Sequence, residues 1–188
     1  PVLVWVNRQA PGIRAAAQRS TSGQPLWHLT FDGTPVTVLD VPLDWLLERH
    51  LALQSAMQLG VARAALDLTS AYCSERKQFG VPIGSFQAVG QRAADAYVDL
   101  RAMALSLQSA VWRLEQGLSA TREVAIAAWW AAEGGHRINT AAMHLHGGTG
   151  FDRDYPLHRY FIINRRLQLL LGGSAERLEL VAAATLDF

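Results

Sequence analysis

The sequence has very little cysteine or lysine, and its charges nearly cancel. The single cysteine, Cys73, excludes an internal disulfide framework and fits a reducing compartment. A net charge of +1 gives no overall field that would recruit nucleic acid or an anionic membrane. Lysine occurs only at Lys77, so arginine supplies the rest of the 17 basic side chains, which indicates a composition bias.

Long apolar runs are also missing, and residues 1–6 are not expected to be a signal peptide. Gln, Arg or Glu interrupts every apolar stretch well short of a bilayer span. The opening segment, residues 1–6, has neither a basic lead nor a cleavage site. With 188 residues, half of them apolar, the chain can form one sizeable core and at most a small second unit. These features predict a soluble, cytoplasmic protein without a nucleic-acid or membrane partner.

The residues before Pro42 have the pattern of strands and turns. Short β-branched or aromatic runs occupy 2–6, 26–31 and 36–39, separated by Gly- and Asn-containing turns. Three strands make too small a sheet to be stable alone. We therefore expect residues 1–43 to be the end of an incomplete β-domain, with further residues preceding Pro1.

After Pro42 the apolar residues recur at helical spacing. Asp44 and Ser85 are suited to cap helices, and Gly117 is suited to end one. A third helix is expected to meet Gly134–Gly135 and resume to about His146. A last one, from about Pro156, is interrupted at Gly172–Gly173. Long striped helices with short connections predict a mainly α fold, an antiparallel four-helix bundle over residues 44–188.

Two polar residues mark the end of the first helix and the start of the second. Arg76, in the segment Glu75-Arg-Lys-Gln-Phe79-Gly, could neutralise the terminal carbonyl groups of the helix. Alternatively, its forked donors suit a phosphate group. Gln87 is either a solvated surface residue or a partner in the same site.

A glycine cluster follows the third helix, in His144-Leu-His146-Gly147-Gly148-Thr-Gly-Phe151. Glycine backbone permits close approach of a flat ligand, and the two histidines offer hydrogen-bonding groups. The alternative is a helix-ending glycine beside two surface histidines. The cluster lacks the Lys-Ser/Thr of a P-loop and the preceding strand of a Rossmann fingerprint.

In their order and spacing these segments resemble the C-terminal domain of acyl-CoA dehydrogenases. The helical segment 60–67 also looks like that family's first C-terminal helix, and segments 11–13 and 31–36 look like the end of its β-domain. The resemblance covers essentially the whole chain but only about the second half of a complete family member.

The resemblance implies FAD as cofactor, an acyl-CoA substrate and desaturation between its α and β carbons. It further implies a homo- or hetero-oligomer, a dimer of dimers, in which each C-terminal domain reaches into the flavin site of a neighbouring subunit. The family usually has Gln at the position of His144. The residues implied to bind FAD are Arg76, Phe79, Gln87, His144, Gly147 and Gly148.

The catalytic base that the resemblance implies has no clear counterpart here. Family members carry a Glu either just before a Gly in the last segment or near the start of the first C-terminal helix. Those places hold Leu171–Gly172 and His50, while Glu176 lies beyond the expected position. No catalytic residue is assigned. The chain thus resembles non-catalytic subunits of heteromeric acyl-CoA dehydrogenases, such as those acting on steroid side-chain thioesters; a base at His50 is the alternative.

Two other functions are compatible with a helical bundle. One is a ferritin-like di-metal site, since Glu133-Gly-Gly-His136 is formally Glu-x-x-His, but such sites need two of these motifs and two further carboxylates. The other is a partner-binding domain that has lost its flavin. Flavin absorbance of the purified protein distinguishes the flavoprotein from both.

Overall fold

The computed structural model describes residues 1–186, which divide into two compact units, Pro1–Arg49 and the residues from His50 onward. In the first, β1 (Leu3–Trp5) pairs antiparallel with β4 (Thr37–Leu39), and β2 (Ile13–Gln18) pairs with β3 (Leu26–Phe31). Strand β2 was not predicted, because its alanine-rich sequence has little strand preference and forms only through pairing with β3. The domain limits, 1–43 and 44–188, stay a prediction.

Residues 1–186 contain five α-helices, which confirms the mainly helical fold class. The helix bounds are α1 (Leu43–Glu75), α2 (Gln87–Glu115), α3 (Thr121–His146), α4 (Leu157–Leu170) and α5 (Gly173–Leu186). The last two helices are separate because Gly172 and Gly173 have φ of 83° and 81°, a conformation open mainly to glycine. Across these residues, no helix combines the length and apolarity needed to cross a membrane.

Helix α3 lies at the centre of the helical core. Its Ile138 packs with Leu66 of α1 and with Leu100 and Met103 of α2. On a second side, Leu157 of α4 packs with alanines of α1 and α3. Leu171, between α4 and α5, packs against further alanines of α3. The many alanines let the helices approach closely, so α3 is covered on several sides.

The predicted interruption of α3 at Gly134–Gly135 is wrong, because the helix is continuous from Thr121 to His146. Both glycines are buried at helix contacts. A Cβ at Gly134 would lie 3.1 Å from Cγ of Met103, and one at Gly135 would overlap the amide of Gln58. Gln58 is itself fully buried. The glycines therefore provide space for neighbouring side chains rather than a break.

The two proposed N-caps are also corrected. The Ser85 hydroxyl donates to the Pro82 carbonyl at 2.7 Å, and Phe86 occupies the N-cap position of α2 without a side-chain hydrogen bond. Asp44 lies inside the first turn of α1, where its charge favours the positive end of the helix dipole. Gly117 follows α2 with φ of 65°, as predicted.

Replacing Gly135 with alanine is expected to lower the free energy of unfolding by roughly 1–3 kcal/mol, because the added methyl group overpacks against Gln58. The matched control is Gly60→Ala in α1, where nothing lies within 4 Å of the added Cβ. That change should stabilise by about 0.5–1 kcal/mol through helix propensity. Urea unfolding of both variants measures the difference; equal effects would contradict the packing role of Gly135.

Candidate functional site

The end of α1 leads directly into a short hairpin. The Arg76 amide still donates to the Tyr72 carbonyl at 2.8 Å, and then β5 (Lys77–Gln78) pairs with β6 (Val81–Pro82). The Arg76 side chain is exposed, and the ion pairs found in residues 1–186 do not include it. Its guanidinium is thus available to an anionic ligand or partner.

Phe79 forms the turn of this hairpin in an unfavourable conformation. Its φ is +52°, and it is followed by Gly80 at +82°. Positive φ at both central residues is what a type I′ turn requires, but a bulky side chain rarely adopts it. Phe79 is 94% exposed, and its ring lies edge-on to the ring of Phe86, with 6.2 Å between centroids. Backbone strain that holds an apolar ring in solvent is typical of a binding surface.

Gln87 is the first residue of α2 and lies immediately after Phe86. Its side chain is exposed, and the N-terminus of α2 has no side-chain cap. The Phe79–Phe86 contact therefore connects the hairpin turn with Gln87. The Val89 amide donates to the Phe86 carbonyl at 3.0 Å, and the amides of Gln87 and Ala88 are left for solvent or a ligand, at the end of the helix that favours negative charge.

The glycine turn begins at the C-terminus of α3 and consists of Gly147–Phe151 in 3₁₀ conformation. Gly147 has φ of 57°. A Cβ built at Gly147 or Gly148 would meet nothing within 4 Å, so this side of the turn is open. His144 is exposed, whereas His146 is only 3% exposed. The interpretation of two surface histidines is therefore wrong for His146.

An aromatic cluster joins the end of α1 to the glycine turn. The rings of Tyr72 and His146 stack with centroids 4.3 Å apart, and Tyr155 packs against both. The Tyr72 hydroxyl lies 3.4 Å from Oγ1 of Thr149 and 3.5 Å from the His146 carbonyl oxygen. Arg76, one helical turn after Tyr72, is thereby placed at the end of α1 that adjoins the turn. Sequence reasoning missed Tyr72 and Thr149, because 77 positions separate them.

Burial changes the acid–base properties of this cluster. It lowers the pKa of His146 below its ordinary value, an effect partly offset by the hydrogen bond to the Ala142 carbonyl. Burial also raises the pKa of Tyr155, with smaller contributions in the same direction from Tyr72, Glu75 and Cys73. Both groups are therefore held in their neutral forms near neutral pH.

The two places expected to hold a catalytic base, Leu171–Gly172 and His50, lie near each other. Leu51, next to His50, packs against the core cluster that contains Leu171. Leu171 is 1% exposed and faces that core, while His50 is exposed. The Glu176 carboxylate folds back towards Gly172, where an added Cβ would lie 2.6 Å from Oε2.

Although Glu176 lies beyond the expected position in the sequence, its carboxylate thus lies beside Gly172. Arg177, which is largely buried, forms an ion pair with Glu176. Within residues 1–186, there is no cluster of three or more His, Cys, Asp or Glu side chains that could bind a metal ion.

Comparison with known protein families and curated sequences gives one consistent result. The family described as acyl-CoA dehydrogenase, C-terminal domain, matches residues 45–186. Acyl-CoA dehydrogenase FadE27 of Mycobacterium tuberculosis is 40% identical, over 89% of this chain and 48% of that protein. FadE28 of the same organism is 35% identical, over 96% of this chain and 55% of that protein.

Solved structures agree with the sequence relatives. A variant of the Tcur3481–Tcur3483 steroid ACAD superposes with a TM-score of 0.94 and 39% identity, covering 97% of this chain and 51% of that chain. The ChsE4–ChsE5 complex from Mycobacterium tuberculosis gives a TM-score of 0.89 and 37% identity, with the same coverage. The chain therefore spans about half the length of the relatives it matches.

Proposed function

This chain belongs to the acyl-CoA dehydrogenase family, and we propose that it forms the C-terminal part of a FAD-dependent enzyme that introduces a double bond between the α and β carbons of an acyl-CoA thioester. The observation that carries the proposal is Phe79. Its ring is exposed on a strained hairpin turn that directly follows the unpaired guanidinium of Arg76.

The residues present fit the cofactor. The Arg76 guanidinium suits a diphosphate because its forked donors match phosphate oxygens. Gln87 and His144 add exposed donors, and the open side of Gly147–Gly148 leaves room for close approach to the backbone. When bound, FAD supplies the acceptor for the hydride that leaves the β carbon. The residues of this chain bind and orient it at its diphosphate and adenosine end.

We further propose that these residues act on flavin shared with a neighbouring subunit. Support comes from an apolar stripe on α2, where Val98, Leu105 and Trp112 recur every seven residues and are 64%, 57% and 55% exposed. Residues seven apart lie on one face of a helix. Such a stripe is typical of a helix covered by another chain. A dimer of dimers, homomeric or heteromeric, would cover it.

The second candidate function is a non-catalytic, flavin-binding subunit of a heteromeric acyl-CoA dehydrogenase. Leu171 is buried and Gly172 has no side chain, so neither can remove a proton from the α carbon. In this arrangement the present chain holds flavin and its partner supplies the carboxylate. One of the similar solved structures is a heteromeric complex, ChsE4–ChsE5. A steroid side-chain thioester is then the proposed substrate class.

The test of the proposed function is the flavin content of the complete protein in its assembled state. We expect a yellow protein whose flavin absorbance corresponds to one FAD per subunit in a homomer or one per heteromeric pair. Release of the chromophore by heat and its identification as FAD by mass would complete the measurement. A colourless assembly that does not take up added FAD would favour a structural or partner-binding domain instead.

Replacing Phe79 with asparagine is expected to weaken flavin binding by roughly 1 kcal/mol, the low end for loss of aromatic stacking on a base. Stability should change little, since asparagine relieves the left-handed strain and so offsets the lost contact with Phe86. Phe79→Tyr, which keeps the ring and the strain, is the matched control and should retain flavin. Flavin titration and thermal unfolding give both quantities. Reduced stability with unchanged flavin affinity would make Phe79 a structural residue only.

A further inference from the structure

Three contacts join the glycine turn to the aromatic cluster. Thr149 contacts the Tyr72 hydroxyl, and the backbone carbonyl of His146 contacts the same hydroxyl. Gly150 is buried against His146, since a Cβ there would lie 3.2 Å from the His146 Cβ. These contacts therefore fix the position of the open side of the turn, at Gly147 and Gly148. The side chains that make the contacts do not extend to that side.

The hydrogen bonds of His146 determine where its ring carries a proton. Nδ1 lies 2.8 Å from the Ala142 carbonyl oxygen, which can only accept, so Nδ1 carries the hydrogen. In the neutral ring Nε2 is then an acceptor, and the Tyr155 hydroxyl 3.1 Å away donates to it. One tautomer of a neutral imidazole thus satisfies both neighbours.

We propose that Tyr72, His146 and Tyr155 are positioning residues, which hold the Gly147–Phe151 turn in the shape needed to bind the diphosphate and adenosine end of flavin only while His146 is neutral. The proposal rests on the flavin-binding function given above. None of the three side chains is assigned a direct contact with the cofactor. Their effect is exerted through the backbone of the turn.

Protonation of His146 would place a cation in this buried cluster. The groups around it are Tyr72 and Tyr155, with Cys73 and Glu75 of α1 near Tyr155. His158 donates from Nδ1 to the Tyr155 carbonyl, and Tyr160 packs in the same core. Among residues 1–186, no carboxylate forms an ion pair with His146. Because an unpaired buried charge is costly, protonation would favour an opened turn in which water hydrates the imidazolium.

The sign of the pH effect follows from burial. Because the pKa of His146 is lowered in the folded protein, the unfolded or opened state binds the proton more readily. The contribution of the cluster is therefore complete above the ordinary pKa of 6.5 and decreases as pH falls through the lower folded pKa.

The experiment uses the complete assembled protein carrying His144→Gln, which removes the second histidine from the proposed flavin-binding region. Flavin affinity is expected to fall between pH 7.5 and 5.5, by at most about tenfold per pH unit, the limit for one proton. Adding His146→Gln should weaken binding and make it independent of pH, because the amide cannot titrate. A pH dependence that persists in the double variant would overturn the proposal.

A second pair of variants tests positioning without titration. Tyr155→Phe removes only the hydroxyl that donates to His146, and should weaken flavin binding roughly two- to tenfold, the effect of one hydrogen bond. Tyr160→Phe removes a hydroxyl from the same core cluster without touching His146 or the turn. It should leave flavin affinity unchanged. Equal effects of the two variants would show that the cluster acts only through general stability.

Amide hydrogen exchange at residues 147–151 separates this proposal from the proposed function. Exchange should be faster in Tyr155→Phe than in Tyr160→Phe, whether or not the protein binds flavin. If the wild-type assembly takes up no FAD but the exchange difference is present, the proposed function fails and the positioning role stands. If flavin binds and neither exchange nor affinity differs between the two variants, the positioning role fails.

Discussion

Replacing Arg76 with alanine is expected to release most of the flavin from the assembled protein. Removal of a charge-assisted, forked contact with a phosphate costs on the order of 1.5–3 kcal/mol, which is roughly a 10- to 150-fold loss of affinity. The exposed guanidinium has no ion-pair partner in residues 1–186, so its loss leaves no carboxylate unpaired. The stability of the fold should therefore stay nearly constant.

The matched control for this change is Arg122→Ala. Arg122 is also exposed, but it lies in the first turn of α3, and about 35–40 Å of helix separates it from the glycine turn. Equilibrium dialysis or flavin fluorescence after dilution measures retention in both variants. Equal retention would return Arg76 to the role of neutralising the C-terminal carbonyls of α1. An increase in retention by Arg76→Lys over Arg76→Ala would indicate how much of the contact is charge alone.

Assembled from this subunit alone and loaded with FAD, the complete protein is expected to dehydrogenate acyl-CoA slowly. General acid–base catalysis contributes about 10²–10⁴-fold, and the chain has no carboxylate at Leu171, Gly172 or position 50. Reduction of an artificial electron acceptor measures the rate. Co-expression with a catalytic partner should restore turnover by a similar factor.

Two variants identify any base that this chain does supply. His50→Ala should leave turnover of the assembled complex nearly unchanged, and Glu176→Gln provides the matched test of the carboxylate beside Gly172. Robust activity of the single-subunit assembly that is lost in His50→Ala would make His50 the base. The same loss in Glu176→Gln would assign the role to Glu176. Either result would contradict the non-catalytic interpretation.

The helices could be predicted because their signals are local. Apolar periodicity and the break around residues 80–85 located α1 and α2, and Gly117 ended α2 as expected. The glycines of α3 misled the prediction, since the same residue type both breaks a helix and permits close packing. Only the neighbours, Met103 and Gln58, decide between these roles. Those contacts are made by helices distant in sequence.

In the candidate site, too, some features could be predicted from the sequence and others depend on contacts between distant segments. The resemblance singled out Arg76, Phe79 and the glycine turn, and these assignments as flavin-binding residues stay predictions. The structure adds the exposure and strain of Phe79 and the opposite environments of His144 and His146. The burial of His146, in contrast to the exposure of His144, could not be predicted, because it depends on Tyr72, 74 positions away. The amino-acid sequence alone carries no signal for the stacking of Tyr72 on His146.

The two glycines inside α3 also bear on the order in which the helical unit forms. Each glycine lowers the intrinsic stability of a helix by roughly 0.5–1 kcal/mol relative to alanine, so the middle of α3 is weakened as an isolated helix. In the native protein its central segment packs directly against Gln58 and Met103. We therefore expect the middle of α3 to become fully ordered only when it docks against these side chains of α1 and α2. The helix most enclosed in the native protein would then be one whose middle depends on tertiary contacts rather than on its own helix propensity.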